Sequence, residues 1–140
     1  MKVKDVMHSG AEWATPDTPL LELAKRMRQH DIGSIPIAEH DKLVGMVTDR
    51  DIVCNGLATA GFDPAKAKAR DVMTKGIHTC RAEDDLGAAV HHMRDLKVRR
   101  LPVIDKSKRL VGILSLGDIS HAAPRELSAD YLKDVAAHHH

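Results

Sequence analysis

The sequence predicts an α/β protein: two tandem β-α-β-β-α units packed through their sheets with pseudo-two-fold symmetry. Three observations predict it. The 140-residue chain repeats itself, in order and with one gap. Within each copy an apolar stripe at helical spacing alternates with short runs at strand spacing. Hydrophobic residues make up 43% of the chain but include only one Trp, one Phe and one Tyr, so the core is built from Val, Ile, Leu, Met and Ala. A chain of this length buries enough surface to fold without disulfides or metals.

The repeat begins at the N-terminus. Lys4-Asp5-Val6-Met7 returns as Arg70-Asp71-Val72-Met73, and the same offset of 66 pairs Gly10 with Gly76, Leu20 with Leu86, Met27-Arg28 with Met93-Arg94 and Pro36 with Pro102. One residue is then inserted. At an offset of 67, Leu43-Val44-Gly45 meets Leu110-Val111-Gly112 and Asp51-Ile52 meets Asp118-Ile119. Chance identities would scatter, whereas these keep their order.

Each element follows from local pattern. A short β segment is expected around Glu12–Thr15 and again around His78–Arg81. Asp17 or Thr18 caps a helix whose apolar face is Leu20, Leu23, Ala24 and Met27; Asp84 or Asp85 caps its counterpart, with Leu86, Ala89, Val90 and Met93. Strands follow at Ser34–Ala38 and Arg100–Ile104, then at Leu43–Val47 and Leu110–Leu114, across the polar turns His40-Asp41-Lys42 and Lys106-Ser107-Lys108. A last helix starts near Asp49 or Gly117. One such unit cannot cover both faces of a three-stranded sheet, but two packed together can. The expected organisation is repeat 1 at 1–58, a connector at 59–69, repeat 2 at 70–123 and an amphipathic helix at 124–137 with Leu127, Tyr131 and Val135 on one face. Residues 138–140, three histidines, read as a purification-tag remnant.

Composition excludes several functions. Lys plus Arg (21) nearly cancels Asp plus Glu (20), and aromatics are scarce, so nucleic acid is not a preferred partner. No apolar run approaches a membrane span, and the start, with Lys2, Lys4 and Asp5, lacks the apolar stretch of a secretory signal. Cys54 and Cys80 form no C-x-x-C pair and no disulfide framework, so a cytoplasmic location and two buried, inert thiols are expected.

The order D-V-M, then an x-P-h strand, then h-V-G-h-h-[ST]-x-x-D resembles a CBS domain, and its doubling resembles a CBS pair (Bateman module) of the small stand-alone bacterial kind. Thr48-Asp49-Arg50-Asp51-Ile52-Val53 fits especially well, and the resemblance spans Val3 to Ala122. It implies a regulatory module without enzyme activity that binds an adenosine-containing ligand in a cleft between the repeats. AMP, ADP or ATP is the ligand class, and no cofactor is required. Binding would change the angle between the repeats and alter an unknown regulated protein. A side-by-side homodimer is implied too, because half of the hydrophobic helices otherwise face water.

The chemistry of the site can be argued from the residues as well. A Ser or Thr three positions before an Asp, at a strand-to-helix junction, sets both side chains on one helical edge. There the carboxylates of Asp51 and Asp118 can accept ribose hydroxyl protons, with Thr48 and Ser115 in support. The plainer alternative is that both pairs merely cap helices. The family pattern implies two unequal clefts. One joins Thr48 and Asp51 with Thr79, Arg99, Arg100 and the backbone of Leu101, Pro102 and Val103; its guanidinium groups suit phosphate, and it is the favoured cleft. The other joins Ser115 and Asp118 with Trp13, Gly33, Ser34 and the backbone of Ile35, Pro36 and Ile37, where Trp13 either stacks on a purine or fills the cavity. Strand alternation lets at most one of Arg99 and Arg100 face a cleft directly.

Two other classes stand beside this one. A ligand-free dimeric scaffold would use the same fold. A metal-responsive module would draw on seven histidines outside the terminal triplet, yet these are dispersed, His91 and His92 diverge on their helix, and no H-x-x-x-H occurs. Catalysis has less support still, since neither a G-x-x-x-x-G-K-[ST] loop nor a G-x-S-x-G elbow is present.

Overall fold

The computed structural model describes residues 1–9 and 13–122. The helix expected over 124–137 and the histidines 138–140 lie outside the described residues. The described chain is mixed α/β, with five α-helices and two small sheets of two and three strands. Two compact units result. An inner unit spans Glu12–Ile77, and a composite unit joins Met1–Ala11 to His78–His140. Among the described residues no helix is long and apolar enough to cross a membrane.

In the inner unit, α1 (Leu20–His30) buries Leu20, Leu23 and Met27, the expected stripe. Its cap differs from expectation. Pro19 occupies the N-cap position without a side-chain bond, while Thr18 is buried and its Oγ1 accepts from the Thr15 amide at 3.0 Å. Asp17 pairs with Arg70 instead. Pro at that point has no N–H to leave unpaired, so the two residues before it are free for loop contacts. Strands β1 (Ser34–Glu39) and β2 (Lys42–Thr48) pair antiparallel through His40 and Asp41, both at positive φ, and bury Ile35, Ile37 and Val47. The segment expected around Glu12–Thr15 contributes one parallel bridge, with the Ala14 amide donating to the Pro36 carbonyl at 3.0 Å.

After β2 the chain enters α2 (Asp49–Asp51) and then widens into a π-helical segment, Ile52–Leu57. Gly56 lets that segment close on Phe62: a Cβ there would meet the ring at 3.0 Å. The connector thus lies on the inner unit, held by Leu20 N–H to the Ala67 carbonyl and Ala69 N–H to the Thr18 carbonyl, both 2.9 Å. It leads into α3 (Ala69–Val72), whose Ala69 and Val72 join the inner core. Thr74 then exchanges two backbone hydrogen bonds with Met46.

The composite unit mirrors this with the N-terminus. A 3₁₀ turn at Val3–Asp5 buries Val3 completely, and His8 exchanges two backbone bonds with Ile113, the counterpart of Met46. Strand β3 (Cys80–Arg81) runs parallel to β4 (Arg100–Ile104), which pairs antiparallel with β5 (Leu110–Ser115). Helix α4 (Leu86–Leu96) is capped by Asp85, as expected, and α5 (Leu116–Ala122) follows β5 directly. Val3, Leu86, Met93, Leu101, Val103, Leu114 and Ile119 make the core. So each D-V-M segment packs with the strands of the other repeat. The sequence repeats and the compact units are different partitions of the chain.

The cysteines divide. Cys80 is buried, and desolvation pushes its thiol up to about 12, with the Asp84 carboxylate adding to the rise. Cys54, expected to be buried, is exposed, because the π-helical turn faces it outward. At pH 8 a thiol reagent is therefore expected to label one cysteine per native chain, Cys54, and both after denaturation. Equal labelling rates at the two sites in native protein would contradict this burial.

Candidate functional site

Both Ser/Thr-x-x-Asp junctions form where a strand ends and its last residue caps the following helix. In the inner unit, Thr48 Oγ1 accepts from the Asp51 amide at 3.0 Å and Asp51 Oδ2 accepts from the Thr48 amide at 2.9 Å, a reciprocal capping box. In the composite unit, Ser115 Oγ accepts from the Asp118 amide at 3.1 Å, and Asp118 Oδ2 accepts from the Ser115 amide at 3.2 Å and hydroxyl at 2.8 Å. Each cap uses Oδ2 and leaves Oδ1 for other work. Capping and ligand binding are therefore compatible roles for one carboxylate.

The two Oδ1 atoms have different fates. Asp51 Oδ1 accepts from Asn55 Nδ2 at 3.0 Å and from Thr74 Oγ1 at 3.1 Å. Asn55 is itself fixed by the Val72 carbonyl at 3.2 Å. Asp118 Oδ1 accepts no hydrogen bond among the described residues.

A pocket of about 440 Å³ opens beside the composite junction, lined by Arg99, Arg100, Ser115, Leu116, Gly117 and Ser120. That volume suits a small-molecule ligand. The register places Arg100 opposite Ser115, and the Leu116 amide donates to the Arg99 carbonyl at 2.9 Å. Both arginines are exposed, and both line the pocket. Alternation does not separate them, because Arg99 lies just before β4 rather than within it. Neither makes an ion pair among the described residues. The repeat counterparts of Arg99 and Arg100 are Gly33 and Ser34. There the Asp49 carboxylate lies against Gly33, where a Cβ would stand 3.2 Å from Oδ2.

The other sequence-named residues are less engaged. Thr79 is half-buried just before β3, and Trp13 is 44% exposed, its carbonyl accepting from Arg26 at 3.0 Å. Leu101 and Val103 point into the composite core and Ile35 and Ile37 into the inner one, so these four can meet a ligand only through their backbone, while Pro102 and Pro36 are buried on the opposite strand face. Sequence reasoning missed Leu116, Gly117 and Ser120 in the pocket and Asn55 and Thr74 at Asp51. The repeat alignment held a signal for the last two, since their counterparts are Ala122 and His8.

Residues 3–55 and 69–125 each match the family model of the CBS domain. The chain belongs to the CBS-domain family. This CBS pair is 37% identical over 135 residues to hypoxic response protein 1 of Mycobacterium tuberculosis, covering 96% of this chain and 93% of that protein. It is similar to the crystal structure of hypoxic response protein I with two coordinated zinc ions, at a TM-score of 0.79 and 39% identity over 89% of this chain and 100% of that one. The CBS pair of protein MJ0100, in complex with 5′-methylthioadenosine and S-adenosyl-L-methionine, is similar at a TM-score of 0.73 and 30% identity, covering 86% and 94% of the two chains. CBSX2 of Arabidopsis thaliana, in complex with AMP, is similar at a TM-score of 0.77 and 25% identity, covering 87% and 95%.

The rings of His78 and His92 meet edge to face with centroids 5.9 Å apart. No third His, Cys, Asp or Glu completes a group able to hold an ion among the described residues.

Proposed function

We propose that this chain is a cytoplasmic regulatory CBS pair, without enzyme activity of its own, that binds an adenosine-containing ligand and thereby modulates a partner protein. The observation that carries the reading is the pocket with Arg99 and Arg100 beside the Ser115–Asp118 junction. Two guanidinium groups without carboxylate partners among the described residues suit a phosphate, and the carboxylate oxygens of Asp118 and Asp51 are the candidate acceptors for ribose hydroxyls. Ser115 and Thr48 orient those carboxylates. Thr79, Trp13 and the backbones of Ile35–Ile37 and Leu101–Val103 are proposed as lesser contacts to sugar and base. The complexes of CBSX2 with AMP and of MJ0100 with adenosine derivatives support the ligand class.

A dimeric scaffold without a ligand is the second reading. Leu21, Val53 and Leu57, each more than half exposed, favour the self-association that both readings share. Nucleotide binding separates them. A thermal-shift panel on protein lacking His138–His140 would contain AMP, ADP, ATP, S-adenosylmethionine and zinc. A ligand at a hundred times its dissociation constant stabilises the fold by about 2.7 kcal/mol, a shift of several degrees. The expected result is a shift with an adenine nucleotide that disappears in the Arg99→Ala/Arg100→Ala variant. A shift with zinc alone, or none at all, would overturn the proposal.

A further inference from the structure

We infer that Asn55 and Thr74 close the inner-unit site, so that this chain fills one of its two repeat-related sites, the one built on Asp118. This rests on the nucleotide-binding reading above and says which carboxylate serves it.

The sequence expectation favoured Asp51, but three local differences argue the reverse. First, the Oδ1 of Asp51, the oxygen its cap leaves over, already accepts two hydrogen bonds, from Asn55 Nδ2 and Thr74 Oγ1, whereas the Oδ1 of Asp118 accepts none among the described residues. A ribose hydroxyl reaching Asp51 must displace a partner that is already well placed, so the exchange yields little net stabilisation. Second, the donors are held from two sides. Asn55 sits on the π-helical segment, one turn beyond Asp51, and also donates to the Val72 carbonyl; Thr74 is anchored by its paired backbone bonds with Met46. Their counterparts, Ala122 and His8, place an apolar methyl and an imidazole at the equivalent positions. Third, the charges are opposite. Where the composite pocket has Arg99 and Arg100, the inner unit has Gly33 and Ser34 with the Asp49 carboxylate against Gly33, which repels a phosphate.

Calorimetric titration with AMP tests this. The unaltered chain is expected to take up one equivalent. Asp118→Asn is expected to lower the affinity about tenfold, and Asp51→Asn to leave it within about twofold. Both replacements are isosteric and retain an oxygen for the cap, and the melting temperature of each variant checks folding. The quadruple variant Ser34→Arg/Asp49→Asn/Asn55→Ala/Thr74→Val frees Asp51, removes the opposing charge and supplies the missing guanidinium, so a second equivalent is expected. Two equivalents in the unaltered chain, a tenfold loss in Asp51→Asn, or a single equivalent in the folded quadruple variant would each overturn the inference. Absence of AMP binding to the unaltered chain would instead remove the nucleotide reading on which it rests.

Discussion

Val3→Asp is expected to destabilise the composite unit by about 3–4 kcal/mol and to leave the inner unit nearly untouched. Val3 is third in the chain yet 0% exposed, packed in the core of an element set that begins at His78. Its amide donates to the Asp84 carbonyl, the Lys4 amide to the Ala82 carbonyl, and the Leu86 amide to the Met1 carbonyl, each at 2.9 Å. A carboxylate at residue 3 has no cation inside that core. The segment can escape by undocking, which caps the loss. Undocking gives up the burial of Val3 and Val6, about 2 kcal/mol each, together with the His8–Ile113 bracket. It also frees Lys2 and Lys4 from Glu83, whose carboxyl their hydrogen bonds and charges hold at about 2. Hydrogen exchange makes the prediction specific. Amides of α4, β4 and β5 are expected to exchange faster, while those of α1 and β1 keep their protection. Faster exchange confined to α1 and β1 would show that the N-terminal segment belongs with the inner unit.

Gly45→Val and Gly112→Val are each expected to cost about 3 kcal/mol in urea unfolding. These glycines are repeat counterparts on β2 and β5, and each faces the returning D-V-M segment. A Cβ at Gly45 would stand 2.9 Å from both Met73 Sδ and the Thr74 carbonyl oxygen; at Gly112 it would stand 2.8 Å from Met7 Sδ and 2.9 Å from the His8 carbonyl oxygen. The methionine can swing aside, but the carbonyl is tied into the backbone bracket with Met46 or Ile113. Valine adds two methyl groups to that collision. Gly117→Ala is the control: its Cβ would meet only Ser115 Oγ, at 3.7 Å, in the first turn of α5, so stability should change by less than about 1 kcal/mol. Equal losses at all three positions would mean that lost glycine flexibility, rather than collision, sets the cost.

The two predictions share a cause that local pattern does not carry. The copies are similar enough that Val3–Met7 and Arg70–Thr74 match the same kind of groove, beside Gly45 or beside Gly112. Which groove each takes depends on contacts far along the chain: Phe62 on Gly56 and the Leu20–Ala67 bond hold the connector, and so Val72, on the inner unit. The same distance effect hid the closure of Asp51, whose partner Thr74 lies 23 residues on. The exposure of Cys54 escaped for another reason. Apolar periodicity assumes 3.6 residues per turn, and the π-helical widening after Asp51 rotates the face that this spacing predicts.

By itself, the sequence determined whatever rests on neighbours within a few residues: the doubled unit, the stripe of α1 and α4, the span Arg100–Ile104 of β4, and the Ser/Thr-x-x-Asp caps. These follow from backbone periodicity and from hydrogen bonds between residues three or four apart, and such physics is written locally. Only the tertiary structure decided which D-V-M segment completes which core, which carboxylate oxygen is left without a partner among the described residues, and that Arg99 and Arg100 both line one pocket. Those outcomes depend on packing between segments distant along the chain, where two copies of one pattern offer similar partners: Phe62 and Ala67 hold the second D-V-M segment on the inner unit, and Thr74 reaches back to Asp51.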